Sequence, residues 1–289
     1  MIIREPLPEW LKVKAPGSDE YFRVRSQVEK HRLNTVCRDA RCPNIGECWG
    51  AGTATFMILG NVCTRGCQFC AVARGSPAGK DIDEPQRVAA AVKQLNLNYV
   101  VITSVSRDDL ADGGAGMFAE TIRRIHEARS GVYVEALIPD FLGNSASLEI
   151  VVKAGPLVVA HNIETVRRLY PAARNGSDYG RSLDLLRKAK SFGTSVKTKS
   201  SLMLGLGETE EEIRAVLNDL RRAEVDIATL GQYLQPEFKR LPVAKYYTPR
   251  QFEEYRDFAF SIGFKAVFSG PLVRSSYHAE KAASEGSRF

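Results

Sequence analysis

Long hydrophobic runs are missing from this chain of 289 residues: no apolar stretch approaches the roughly 20 residues that cross a bilayer. The start, Met1-Ile2-Ile3-Arg4-Glu5-Pro6, has neither the basic region nor the apolar core of a signal peptide. The expected location is therefore the cytoplasm, or an organelle stroma whose transit peptide is absent here, and no membrane partner is expected. Charge of one sign is not concentrated either, because a formal net charge of +6 is spread as Lys and Arg among acids along the whole length. A nucleic-acid partner is allowed by that balance but not indicated, and none is expected. There is no internal repeat and no low-complexity tract. Cysteine is absent after residue 70; all six lie between Cys37 and Cys70, a poor layout for disulfides that staple a domain of this size. In a reducing compartment such clustering points to metal.

What is present is the composition of an ordinary globular protein, 44% hydrophobic and 26% charged. From about residue 53, strand-like runs at 53–59, 99–103, 132–138, 157–160, 195–204, 226–230 and 265–268 alternate with helical stretches at about 84–96, 116–129, 145–154, 181–192, 209–223 and 249–262. That alternation is the signature of βα units and a parallel sheet. Val88, Ala91, Val92 and Leu95 keep helical spacing, Asp83 before Glu84-Pro85 reads as an N-cap, and Thr209 as another. Six βα units fall short of the eight that close a barrel, so the expected fold is α/β, a partial (βα)6 TIM-like barrel with a seventh strand appended. Residues 1–52 read as a separate N-terminal extension, broken by Pro6, Pro8 and Pro16, with one helix near 20–33 and Trp10 anchoring it to the barrel; 53–262 form the barrel and 263–289 a C-terminal extension. Chemistry in such folds gathers at the C-terminal ends of the strands.

The group Cys63-Thr-Arg-Gly-Cys67-Gln-Phe-Cys70 puts three thiolates in a short loop directly after the first strand. Three thiolates can hold three irons of a four-iron cubane and leave the fourth open, whereas ordinary clusters take four cysteines. Gly66 fits a tight turn round such an object, and Phe69 a shield against water. Zinc is the competing reading, but structural zinc wants four ligands and no histidine lies nearby. Cys-x3-Cys-x2-Cys with an aromatic before its last cysteine, after the first strand of a (βα)6 barrel, resembles the radical S-adenosylmethionine (SAM) enzymes. That resemblance implies S-adenosylmethionine bound to the open iron of a 4Fe-4S cluster and cleaved to a 5′-deoxyadenosyl radical.

The upstream group, Cys37-Arg-Asp-Ala-Arg-Cys42-Pro-Asn-Ile-Gly-Glu-Cys48, again offers three thiolates and no fourth. It binds either a second cluster with a non-cysteine ligand or forms a redox or zinc site. The pair of patterns in this order resembles the lipoyl synthases. So do Arg107-Asp-Asp-Leu-Ala-Asp-Gly-Gly-Ala115, Ile138-Pro-Asp-Phe141, Ala160-His-Asn-Ile-Glu-Thr165, Leu204-Gly-Leu-Gly-Glu-Thr209 and Gly270-Pro-Leu-Val-Arg-Ser-Ser-Tyr-His-Ala279, all just past candidate strand ends. The resemblance implies two 4Fe-4S clusters, the second completed by a serine oxygen, taken as Ser276 with Ser275 as the alternative. It implies insertion of sulfur at C6 and C8 of an octanoyl-lysine, the second cluster being consumed as sulfur donor. The partners it implies are an octanoylated lipoyl-carrier domain or glycine-cleavage H protein and an electron donor such as ferredoxin or flavodoxin, and a monomer is expected.

Other cofactor contacts follow from the same resemblance. Asn162 and Glu164 suit ribose hydroxyls, Gly113 and Gly114 the methionyl amine, and Gly205 and Gly207 close approach to a flat base. Arg181, Lys199 and Arg274 are cations able to meet a carboxylate. His161 reads as a hydrogen-bonded structural residue. Two rivals stand beside this reading: a zinc-dependent binding module, and a sulfur-inserting tRNA methylthiotransferase, for which no basic RNA-binding domain follows residue 280.

Overall fold

The computed structural model describes residues 7–13, 15–193 and 195–283, so the reading of residues 1–6, with Pro6, and the tail after 283 lie outside the described residues. A 3-10 turn (Glu9–Leu11) leads into α1 (Asp19–Lys30), strand β1 (Asn34–Thr35) and two short helices, α2 (Val36–Asp39) and α3 (Ile45–Gly50). β2 (Thr55–Ile58) is followed by a small ladder, β3 (Val62–Cys63) with β4 (Ala73–Arg74), and then by α4 (Glu84–Gln94). The chain continues through β5 (Tyr99–Ser104), α5 (Ala115–Ala128), β6 (Tyr133–Leu137), α6 (Ser145–Lys153), β7 (Val158–Ala160), α7 (Tyr170–Ala173), α8 (Tyr179–Phe192), β8 (Lys197–Leu204), α9 (Glu210–Arg222), β9 (Ile227–Gln232), α10 (Pro249–Ser261), β10 (Ala266–Gly270) and α11 (Ala279–Ala283).

The main sheet runs in the order β1-β2-β5-β6-β7-β8-β9-β10. Every neighbouring pair is parallel except β1, which lies antiparallel on β2 with Asn34 opposite Met57. β1 and β10 are its two edges, so the α/β barrel stays partial, with the expected seventh strand at one edge. The strands read as near-continuous apolar runs because both faces are covered. Helices pack on the outside, where Val88 and Val92 of α4 are fully buried, each contributing on the order of 1.5–3 kcal/mol. Inside, Tyr99, Val101, Val158, Ile227 and Phe268 pack against Ala279 of α11, so the C-terminal helix fills the space that a closed barrel would give to its own strands. Among the described residues no helix is long and apolar enough to cross a membrane.

Three expectations need correction. Asp83 precedes α4, but its backbone is already helical (φ −90°, ψ −8°) and its side chain caps nothing. Asp81 serves that turn instead, accepting from the Asp83 amide at 3.1 Å. Thr209 does cap, in a reciprocal box with Glu212. Trp10 is 40% exposed while Leu11 is buried, since a single 3-10 turn points only one of the two adjacent side chains inward. Finally, the N-terminal segment is not a separate unit: β1 extends the sheet, and Val24, Val28 and Trp49 share one core with β2, α4 and α5.

One charged pair lies within the barrel. Lys199 Nζ donates to both Glu135 oxygens at 2.9 and 3.1 Å, and Tyr99 Oη donates to Glu135 Oε2 at 2.8 Å, with Lys199 and Glu135 each 1% exposed. Removing one member strands a buried charge, a loss of about 3–5 kcal/mol, whereas removing both charges is close to neutral. Denaturant titration should therefore show Lys199→Met strongly destabilised and Lys199→Met/Glu135→Gln returned most of the way, the glutamine still accepting from Tyr99.

Candidate active site

A cavity of about 770 Å3 opens at the C-terminal ends of the strands. All six cysteines line it, with Phe69, Asn162, Glu164, Arg274, Ser275 and Ser276. Residues more than 200 positions apart in sequence thus share one wall.

The first three thiols come from the N-terminal helices. Cys37 sits on α2, whose first turn is capped by Thr35, and the Cys42 amide closes back onto the Cys37 carbonyl at 3.1 Å. Cys48 lies on α3. Burial pushes the Cys37 thiol up to about 11. Burial, then the neighbouring Cys37 and Cys42, push Cys48 up to about 12. The C-terminal segment is pinned against these helices: Asn44 Nδ2 donates to the Leu272 carbonyl at 2.6 Å, Tyr277 Oη to Glu47 Oε1 at 2.7 Å, and Thr55 Oγ1 to Ser276 Oγ at 2.9 Å. Its path needs Gly231, because a Cβ there would collide with the Val273 carbonyl oxygen.

The second three come from the β3–β4 loop. The Arg65 amide points at Cys63 Sγ and the Val72 amide at Cys70 Sγ, both at 3.4 Å. At Gly66 a Cβ would come within 2.8 Å of Arg74 Cδ, a contact that the exposed Arg74 side chain can relieve by moving. Burial pushes Cys67 up to about 12 against the pull of the Arg174 guanidinium, with Cys70, Glu164 and Cys63 adding to the rise.

The donor chemistry can be tested against iron–sulfur clusters. Cys37 and Cys42 raise the pKa of Cys48, and Cys70 and Cys63 that of Cys67, so the thiols of each triad are neighbours. Yet among the described residues no three His, Cys, Asp or Glu side chains converge as a single metal ion demands. Neighbouring but non-convergent thiols fit a polynuclear cluster, whose positive charge removes the penalty on burying thiolates. The cavity wall also holds Asn44 Oδ1, Ser104 Oγ and Asn162 Oδ1, buried without a hydrogen-bond partner among the described residues. Buried polar atoms are rarely left so, and these await ligand atoms.

Asn162 and Glu164 follow β7. Asn162 Nδ2 donates to Glu164 Oε1 at 3.0 Å, and burial raises the Glu164 carboxyl above its ordinary value, opposed by Arg174 and Asn162. Glu164 has φ +66°, a left-handed conformation imposed by its two backbone bonds to β8, from its amide to the Ser201 carbonyl and to its carbonyl from the Met203 amide. Strain of that kind persists where surroundings over-determine the backbone.

Arg174 has no local sequence signal and was not anticipated. It is buried in the cavity wall, donating to Tyr170 Oη at 2.8 Å and Ser182 Oγ at 3.2 Å, with His161 Nε2 at 3.4 Å; among the described residues no carboxylate forms a direct ion pair with it, Glu164 acting on it only through space. His161 is held down to about 3 by burial and by Arg174, and stays neutral, its Nδ1 donating to the Ile138 carbonyl at 2.8 Å. It is structural, as expected.

The remaining candidates lie away from this cavity. Arg181 donates to Asp140 and to the Gly176 carbonyl, and Lys199 is spent on Glu135. Gly205 packs against the Gln232 side chain and the Lys245 carbonyl, and its amide and that of Leu206 donate to Glu208. Gly207, at φ +107°, continues that turn. Gly114 begins α5 at φ +91° against Leu59, and Gly113 borders a separate small pocket with Phe141.

Known proteins resemble this chain over most of its length. The model of the radical SAM superfamily matches residues 57–220, and that of the N-terminal domain of lipoyl synthase matches residues 3–42. The mitochondrial lipoyl synthase of Nematostella vectensis is 52% identical over 278 residues, spanning 96% of this chain and 95% of the relative. The lipoyl synthase of Rubrobacter xylanophilus is 53% identical over 285 residues, spanning 99% of this chain and 89% of the relative. Among solved structures, methylornithine synthase superposes with TM-score 0.56 at 16% identity, covering 87% of this chain and 78% of its own. HydG, the FeFe-hydrogenase maturase of Carboxydothermus hydrogenoformans, superposes with TM-score 0.58 at 13% identity, covering 91% and 69%. The structural likenesses speak for the fold, and the sequence identities decide the family: the chain belongs to the lipoyl synthases of the radical SAM superfamily.

Proposed function

We propose that this chain converts a protein-bound octanoyl-lysine into a lipoyl group by inserting sulfur at C6 and C8, with two 4Fe-4S clusters held in the one cavity. The observation that carries the reading is that both thiol triads and Ser276 open on that cavity. Cys63, Cys67 and Cys70 would hold the cluster that leaves an iron open for S-adenosylmethionine. Cys37, Cys42, Cys48 and Ser276 would hold the second. When bound, the clusters supply what no side chain can, the electron that generates a carbon radical and the sulfide that becomes the product's sulfur.

The chain's own residues bind and orient. Asn162 and Glu164 stand where ribose hydroxyls can be hydrogen-bonded, and the unspent Asn162 Oδ1 offers a further acceptor. Arg174, anchored by Tyr170, Ser182 and neutral His161, is the cation placed for a carboxylate, in place of Arg181 and Lys199. Phe69 helps exclude water, and Met57, Val101, Leu137 and Met203 give the cavity an apolar wall suited to an acyl chain. Residues 53–262 would thus serve the radical step and the two extensions the sulfur step. The carrier is a lipoyl-carrier domain or glycine-cleavage H protein, and the reductant a ferredoxin or flavodoxin.

The division of labour is testable by substitution. Anaerobically reconstituted protein should hold about eight irons, four for each cubane, and Cys37→Ala about four. That variant should still cleave S-adenosylmethionine with dithionite yet thiolate no octanoyl-lysyl peptide, while Cys63→Ala should do neither. Complete loss of cleavage in Cys37→Ala would show the roles misassigned. Ser276→Ala should behave like Cys37→Ala in thiolation, with Ser275→Ala close to the parent; the reverse ranking would move the ligand to Ser275. Replacing Arg174 by Gln should raise the KM for S-adenosylmethionine by roughly ten- to a hundredfold, the worth of a charge-assisted hydrogen bond; an unchanged KM would remove it from the binding site.

A further inference from the structure

The loop that carries Cys63, Cys67 and Cys70 has little secondary structure of its own, only the two-residue ladder of β3 and β4. Its position is set by side chains reaching out of it. Thr64 is tied to the end of β5 by its amide and hydroxyl, which both donate to the Ser106 carbonyl. Arg65, its side chain 5% exposed, reaches further. Its Nε and Nη2 fork onto the two oxygens of Asp108 at 2.7 Å each, Nη2 also donates to Asp140 Oδ1 at 2.6 Å, and Nη1 to Ser177 Oγ at 3.2 Å. Asp108 follows β5, Asp140 follows β6 and Ser177 precedes α8. One guanidinium therefore joins the cysteine loop to three separate parts of the barrel rim.

Asp140 is presented at a conformational cost. Its side chain is fully buried, and the residues after it, Phe141, Leu142 and Gly143, are all left-handed, with φ of +47°, +52° and +85°. Leu142 is mostly exposed, so packing of its side chain does not impose that turn. The Leu142 amide donates to Asp140 Oδ1 at 3.2 Å, and Arg181 Nε donates to Oδ2 at 2.8 Å, which leaves the carboxylate oriented on Arg65. Strained backbone retained at a buried polar contact is a mark of function. The Arg65 amide, in turn, points at Cys63 Sγ.

We propose that Arg65 is a positioning residue for the S-adenosylmethionine cluster, its fork onto Asp108 and Asp140 fixing the Cys63–Cys67 arm in the cavity that Asn162, Glu164 and Arg174 also line. The inference rests on the assignment of that cluster to Cys63, Cys67 and Cys70. A guanidinium fork fixes orientation in a way a point charge does not. Removing it shifts the loop rather than the ligands, and misplacement of about 1 Å costs on the order of a hundredfold in a positioned reaction.

The test uses reconstituted holoenzyme with Arg65→Gln, Arg65→Lys, Asp140→Asn and, as control, Arg124→Gln, which breaks an exposed ion pair with Glu120 on α5 outside the network. Iron content and electron paramagnetic resonance of the reduced cluster are recorded with and without S-adenosylmethionine, together with 5′-deoxyadenosine formed per sulfur inserted. Arg65→Gln and Asp140→Asn should keep full iron but lose most of the spectral change on adding S-adenosylmethionine, with cleavage slowed roughly ten- to a hundredfold. Arg65→Lys should recover only part of either loss, and Arg124→Gln should match the parent. An Arg65→Gln enzyme with the parental spectral change and cleavage rate would overturn the proposal, as would full rescue by lysine, which would leave charge neutralisation as the whole role. If Arg65→Gln does not fold, Asp140→Asn decides alone by the same readouts. Absence of any S-adenosylmethionine effect on the unsubstituted enzyme would instead sink the cluster assignment beneath the proposal.

Discussion

Burying thiols beside one another is the constraint on which this molecule is arranged. An isolated thiolate taken out of water is heavily penalised, and a second or third nearby compounds the penalty. Here five of the six thiols are pushed above their ordinary value, burial being the largest cause each time. A protein that buries two such triads has built sites whose charged form becomes favourable only with multivalent positive charge in place. The surrounding features serve that state: backbone amides aimed at Cys63 and Cys70, Arg274 beside Cys42, and Arg174 beside Cys67.

That constraint explains why the chain's two ends meet. A sheet with two free edges leaves its interior accessible, and helix α11 enters it, Ala279 packing on Tyr99 and Phe268. Once there, the stretch before it has a fixed route across the end of β9, possible only because residue 231 lacks a side chain. Ser276 comes to line the same cavity as the N-terminal thiols as a consequence of how the barrel's interior is filled. The N-terminal helices are not free to drift either, since β1 is a strand of the same sheet and Trp49 stacks with Tyr21 over the shared core. The Ser276 hydroxyl is thereby brought to the cavity wall by tertiary packing from 228 residues beyond Cys48.

Much of this was legible in the sequence, and the division follows physical range. Period-two and period-3.6 patterns are local, so all seven barrel strands and their helices were placed to within a few residues. Cysteine spacing is local too, and the two triads declared themselves. Side chains whose meaning depends on remote partners did not. Arg181 and Lys199 read from the sequence as cations near strand ends, but they lie on α8 and within β8, where Asp140 and Glu135 claim them. Arg174 lies in an unremarkable stretch, and only the fold turns it into the cavity. Gly205 and Gly207 looked like room for a ligand, yet the Gln232 amide and the Lys245 carbonyl already occupy the space at Gly205. A glycine reports close approach without saying what approaches.

The cavity is divided in a way that bears on two successive insertions. Its thiols lie on the N-terminal helices and the β3–β4 loop, while Met57, Val101, Leu137 and Met203 come from the strands. An acyl chain lying on that apolar wall is bounded by thiol-bearing segments. On the function proposed, C6 and C8 must each come into reach of the same sulfide donor, two bonds apart along one chain. A wall of β-branched side chains in fixed rotamers would favour one depth of insertion. Two of these four residues are methionines, unbranched and adaptable, which suits a wall that must fit more than one depth of insertion. The polar parts of the site need fixed geometry and are held by forks, caps and strained turns, whereas the apolar part needs tolerance and is built from the side chains that supply it.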